Sequence, residues 1–132
     1  MADPPNAENV LERGLFGSVE YAVRKNGKRE AKDWLESQPL ELQDSFNVLF
    51  RRLVDEGEIH NETQFRRLKD QVWEFKKKIH RLLCYRSGNR TLLTHRIKKA
   101  GGRGKCPPSE IDHAEMIGLE HIEREARRGR EL

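Results

Sequence analysis

Residues 65–106 read FRRLKDQVWEFKKKIHRLLCYRSGNRTLLTHRIKKAGGRGKC, and this stretch decides what the rest of the chain must be. Fourteen Lys and Arg side chains stand in it against Asp70 and Glu74, a formal charge of +12. The whole chain carries +4, so the other residues sum to −8 and the positive charge is concentrated. The same stretch alternates apolar and polar residues with the period of two that a pleated strand imposes. Four strands are expected, over 65–69, 72–76, 79–86 and 91–98. Asp70-Gln71 separates the first two, and Ser87-Gly88-Asn89 is a hairpin turn between the last two. Strand alternation puts Trp73 and Phe75 on one face and Val72, Glu74 and Lys76 on the other. Arg81, Leu83 and Tyr85 share a face, and so do Arg96 and Lys98. With helices on one side of such a sheet, the other side is an open basic groove that can grip a nucleic-acid backbone.

The flanks supply those helices. Residues 18–25, SVEYAVRK, alternate as a half-buried strand, and Asn26-Gly27 ends it as a turn. From Lys28 the pattern turns helical, with Ala31, Trp34 and Leu35 on one side. After Pro39 a second helix is expected over 40–56, with Leu42, Phe46, Leu49, Phe50 and Leu53 as its core stripe and Gly57 as its C-cap. Pro107-Pro108 precedes a last helix that opens on Ser109 and Asp112 and turns Ile111, Ala114, Gly118 and Ile122 inward. Residues 1–17, with Pro4, Pro5, Gly14 and Gly17, read as a flexible N-terminal arm. An acidic arm folding over the basic sheet is a further expectation. Residues 18–132 form a single domain, which is what 132 residues allow.

The composition excludes several classes. Hydrophobic residues make up 35% and charged residues 36%, with no apolar run long enough for a transmembrane helix. The first ten residues lack a signal peptide's basic and apolar regions, so a cytoplasmic protein is expected, with no membrane partner. Cys84 and Cys106 belong to no CxxC pair; Cys84 sits in an apolar strand and reads as a small buried hydrophobe. The Gly101-Gly102-Arg103-Gly104 loop lacks the strand–loop–helix spacing of a P-loop and reads as a basic loop beside the sheet.

RNA carries its own nucleophile, the 2′-hydroxyl, so cutting it requires alignment, proton transfer and stabilisation of charge on phosphorus. Arg and Lys stabilise that charge without a metal. Acid or base can come from Glu74, His80, His95, Tyr85 or a Lys with cationic neighbours. The paired Asp/Glu groups of a two-metal nuclease are absent from residues 65–106, so a nuclease here needs no metal and no other cofactor. His60, His113 and His121 read as ordinary surface residues.

The order strand, two helices, strands, helix, together with QVWEFKKKIHRLLCY and LLTHRIKKAGGRGKCPPSEIDHA, resembles the RelE/ParE toxin superfamily, and within it the phage-derived HigB-like branch. Val72-Trp73-Glu74-Phe75-Lys76, His80-Arg81 with the strand through Tyr85, Leu92 to Ile97 with Lys98-Lys99, and Glu110-Ile111 to Ala114 carry the resemblance. It covers about residues 18–124. Lys76 stands where an arginine is usual, which keeps the charge but loses the bidentate fork. His80 stands where an aromatic is common before Arg81. The resemblance implies an α+β fold in which a small, mostly antiparallel sheet packs against two N-terminal helices and a C-terminal helix. It implies the toxin of a type II toxin–antitoxin pair, a metal-independent endoribonuclease (mRNA interferase). Such a toxin cuts mRNA on the ribosome, leaves a 2′,3′-cyclic phosphate and inhibits translation. A cognate helix-turn-helix antitoxin would neutralise it. By position, the implied catalytic residues are Arg81, Lys98, Lys76 and Glu74, with Glu74 in part an orienting group. Arg66, Arg67, Lys69, Arg96 and Lys99 would hold RNA. Two other classes fit the sequence: a ParE-like gyrase-inhibiting toxin, and a non-catalytic RNA-binding module.

Overall fold

The computed structural model describes residues 7–98 and 105–131. Lys99 and the Gly101–Gly104 loop lie outside the described residues. The fold is α+β, as expected: six strands form one mostly antiparallel sheet, with helices on both of its faces. In chain order the elements are β1 (Val10–Gly14), β2 (Gly17–Tyr21), α1 (Glu30–Glu36), α2 (Leu40–Glu56), β3 (Phe65–Lys69), β4 (Val72–Lys77), β5 (His80–Ser87), β6 (Arg90–Lys98) and α3 (Pro108–Glu131). The sheet order is β1-β2-β6-β5-β4-β3, and only β2 and β6 run parallel.

Where the sequence suggests a loose arm, Val10–Gly14 is a strand paired with β2. It lies at the edge farthest from β3 and so does not cross the basic strands. The amide of Phe16, in the β1–β2 turn, donates to the Val54 carbonyl and ties that turn to α2. Helix α2 runs as read, and Gly57 ends it at φ 86°, donating its amide to the Leu53 carbonyl. That left-handed conformation is the one glycine adopts without steric cost.

One face of the sheet is the main core. Phe46, Leu49, Phe50 and Leu53 of α2 pack there with Leu35 of α1 against Phe65, Phe75, Leu82, Cys84 and Leu93. Cys84 has no exposed surface, and burial pushes its thiol up to about 12, so it is an inert apolar group.

The second face is not open. Helix α3 lies on it, burying Ala114 and Ile117 with Ile111 against Leu83, Leu92 and Ile97. This corrects the expectation of a bare basic side. Gly118 makes the close approach possible, because a Cβ there would stand 2.3 Å from Cγ of Tyr85.

A polar clamp holds the far half of α3. Arg90 donates to both carboxylate oxygens of Glu20 (2.9 and 2.9 Å) and to both of Glu125 (2.8 and 2.7 Å). Burial alone would raise the Glu20 carboxyl, but its hydrogen bonds from Arg90 and Ser18 outweigh that and hold it below the usual range. His121 is fully buried in this clamp, not a surface residue. Its Nδ1 accepts from the Val23 amide at 2.9 Å, and its Nε2 lies 3.2 Å from Glu125. Glu20, His121 and Glu125 bring their ligand atoms together as a metal site would. The guanidinium of Arg90 already occupies all four carboxylate oxygens with hydrogen bonds, so the cluster is a structural clamp.

Two tests follow from this packing. Gly118→Ala should destabilise the protein by about 2 kcal/mol, the usual cost of overpacking. Gly129→Ala, at a helical position with nothing within 4 Å, should be neutral or slightly stabilising. Denaturant unfolding of both variants checks this, and equal effects would refute the close packing at Tyr85. Burial also lowers the pKa of His121, and the same direction holds for His80 and His95. The unfolded chain therefore takes up protons near pH 6.5 before the folded one does, and stability should fall as pH drops below about 6.5. His121→Asn, whose amide oxygen can still accept the Val23 amide, should show a shallower fall in melting temperature between pH 7 and 5. An unchanged slope would mean His121 does not contribute.

Candidate nucleic-acid interface

The register of β3 to β6 sorts the basic side chains. On the face that carries α3, Arg66 pairs across from Glu74, Glu74 from Leu83, and Leu83 from His95. The next row of that face is Lys76, Arg81 and Ile97. Helix α3 packs mainly on β5 and β6. What it leaves is a strip formed by Arg66, Glu74, Lys76 and Arg81 at the β3–β4 side of the face.

Glu74 has no exposed surface, and its Oε2 accepts from Nη2 of Arg66 at 3.0 Å. The arginine is half-buried and reaches the surface that the carboxylate does not. Glu74 therefore holds the Arg66 guanidinium in place through a buried carboxylate. Arg81 is nearly buried. Its Nη1 donates to the carbonyls of Lys78 (2.7 Å) and His80 (3.1 Å), which pins the tight β4–β5 turn with Lys78 at φ 54°. Nε of Arg66, Nε of Arg81 and Oε1 of Glu74 are buried without a hydrogen-bond partner. Leaving such groups unpaired costs about 1–3 kcal/mol each. These three atoms are enclosed, so what the strip offers a phosphodiester is the half-buried guanidinium of Arg66 and the Lys76 side chain.

Lys98 is not in this strip. Leu83 opposes His95 but Cys84 opposes Leu93, so Thr94 is an extra residue in β6, and its hydroxyl donates to the Leu83 carbonyl at 3.1 Å. This bulge shifts the alternation by one. Arg96 and Lys98 therefore leave the face of Arg81 and join the α1 side. Arg96 lies over the Trp34 ring at 5.2 Å and donates to Nδ1 of His80 at 3.0 Å, while Lys98 pairs across from His80. The two histidines offered as acid or base also separate. His80 is on the α1 side, and His95 is buried under α3 with Nε2 3.6 Å from Glu110 and its ring against His113. Tyr85 lies under Gly118. Of the remaining sequence candidates, Arg67 and Lys69 are exposed on the edge strand β3, with Nε of Arg67 bonded to the Asp70 carbonyl at 2.8 Å.

The sequence matches the family model described as Phage derived protein Gp49-like (DUF891) over residues 33–117. No curated protein matches the chain. The chain belongs to the Gp49-like family, a toxin-like group related to the RelE and HigB type. The matched segment runs from α1 into α3 and includes the whole strip. No helix among the described residues is long and apolar enough to cross a membrane.

The Arg66–Glu74 pair has a thermodynamic signature. Arg66→Met alone strands a buried carboxylate and should cost about 3 kcal/mol. Arg66→Met together with Glu74→Leu should cost clearly less than the single change, since replacing both partners of a buried pair by apolar groups is nearly neutral. Urea unfolding of both variants and of Glu74→Leu alone measures this, and additive losses would show that the two side chains do not act as a pair.

Proposed function

We propose that this protein is a toxin of a type II toxin–antitoxin pair that cleaves mRNA, without metal or other cofactor, at the Arg66–Lys76–Arg81 strip. The observation that carries the proposal is that Arg66, Lys76 and Arg81 share the β3–β4 side of the α3 face, with Arg66 braced by the buried Glu74 and Arg81 by the Lys78 and His80 carbonyls. Membership of the Gp49-like family and its toxin-like relations support it.

In this reading the scissile phosphate sits on the strip. The RNA 2′-hydroxyl attacks phosphorus, the bond to the 5′-oxygen breaks, and a 2′,3′-cyclic phosphate remains on the upstream product. Negative charge grows on the non-bridging oxygens, and the two guanidiniums, fixed by Glu74 and by the turn carbonyls, stabilise it. Such preorganised donors contribute about 10²–10³-fold each. A guanidinium does not give up its proton near neutral pH. Glu74 has no exposed surface, so Lys76 is the strip residue left to carry the proton from the 2′-hydroxyl or to the leaving oxygen. Arg67 and Lys69 on the exposed edge would hold flanking phosphates. Cytoplasmic action on translating ribosomes, inhibition of translation and neutralisation by a helix-turn-helix antitoxin belong to the same proposal.

The test is induced expression in bacteria with mapping of RNA ends. Wild type should arrest growth and leave new 2′,3′-cyclic phosphate ends in translated messages. Lys76→Met and Arg81→Gln should lower cleavage at least about 100-fold while keeping the far-ultraviolet circular dichroism of the wild type. Arrest without new ends would favour a protein target such as gyrase. RNA binding without cleavage or arrest would leave a binding module.

A further inference from the structure

The cations that the Thr94 bulge sends to the α1 side form a second group. Lys77, His80 and Lys98 stand in one row across β4, β5 and β6. Lys78 is exposed at the tip of the β4–β5 turn, and Arg96 lies behind His80 on Trp34. Of these, Lys77, Lys78 and His80 border a cleft of about 380 Å³ whose other wall is the start of α2 and the residues before it, with Gln38, Pro39, Leu42 and Ser45. Glu41 also lines it, so one carboxylate faces several cations. The imidazole is oriented: Nδ1 accepts from Arg96, which leaves Nε2 as the N–H donor of the neutral ring.

We infer that this cleft is a second phosphate-binding subsite, which takes a backbone phosphodiester of the same RNA strand after it passes over the β4–β5 turn. Lys77 and Lys78 supply charge at the cleft and His80 donates a hydrogen bond, with Lys98 beside His80 in the sheet. The two subsites lie on opposite faces of the sheet and share the turn between them. Lys76 and Arg81 stand on one side of it, Lys77 and His80 on the other. Arg81 fixes the turn through the Lys78 and His80 carbonyls, so it sets the spacing of both.

The electrostatics agree with that geometry. His80 is held below its ordinary value, first by burial and then by Arg96, Lys98, Lys78 and Arg81. A phosphate among these cations would offset their field. The inference rests on the proposed RNA substrate, but it separates from the catalytic claim by the length of RNA needed to reach the cleft.

Fluorescence anisotropy of 2′-O-methyl RNA, which cannot be cleaved through its 2′-oxygen, tests it with a short and a long oligomer of roughly 4 and 12 nucleotides. Wild type should bind the long oligomer more tightly. Lys77→Gln with Lys78→Asn, the latter a residue that tolerates positive φ, should remove that advantage and leave affinity for the short one unchanged. The log–log salt slope should also fall by about 0.7 for every phosphate that the variant no longer neutralises. In proton NMR, the His80 titration midpoint should rise on saturation with the long oligomer and stay put with the short one. If the double variant binds the long oligomer like wild type, with the same salt slope and an unmoved His80, the second subsite is refuted while the strip stands. If wild type binds neither oligomer, both readings fall.

Discussion

The structure depends on one register. Strands β5 and β6 pair with a single extra residue, Thr94, and everything beyond it on β6 is turned over relative to plain alternation. A shift of one residue exchanges the faces of every side chain that follows. His95 and Ile97 thus go beneath α3, while Arg96 and Lys98 go to the side of Trp34 and His80. Without the bulge, two cations would lie in the apolar seam that α3 needs, and Ile97 would face the other way. The bulge lets one basic strand serve a packed helix on one side and the cations beside Trp34 and His80 on the other.

The second constraint is α3 itself. Its approach depends on Gly118 against Tyr85 at one point and on Arg90 between Glu20 and Glu125 at another. Arginine suits the latter place because its fork meets two carboxylates bidentately. Once α3 is seated, the basic sheet is reduced from a broad open face to a strip at β3 and β4 and the end of β5. That reduction matters chemically. A broad cationic surface binds phosphates at many places, whereas a strip whose arginines are braced by a buried carboxylate and by turn carbonyls holds its donors fixed before substrate arrives.

Much of this is legible in the sequence. Helix α2 with its Gly57 cap, the turns between the last four strands, the division of β4 into Trp73 and Phe75 against Val72, Glu74 and Lys76, and the family resemblance all follow from local pattern. What is not legible has tertiary causes. Thr94-His95 is ordinary strand composition, and nothing in it announces an inserted residue, so plain alternation keeps Lys98 with Arg81. The strand at Val10–Gly14 lies in a stretch whose prolines and glycines suggest disorder, and its pairing with β2 and the tie of the β1–β2 turn to α2 order it. His121 looks like any polar helix residue until the Val23 amide and Arg90 are placed around it. The burial of Glu74 is hidden for the same reason, because a glutamate in a basic strand reads as a solvated counter-charge.

The central claim is that RNA is cut where Arg66, Lys76 and Arg81 meet on the α3 face. The most direct measurement is a crystal structure of the protein with an RNA carrying a 2′-O-methyl group at the scissile position. The account predicts a phosphate in hydrogen-bond contact with Arg66 and Arg81, with the blocked 2′-oxygen close to the Lys76 amine. A backbone phosphate bound only on the α1 side, or RNA held at the outer surface of α3 with the strip empty, would contradict it.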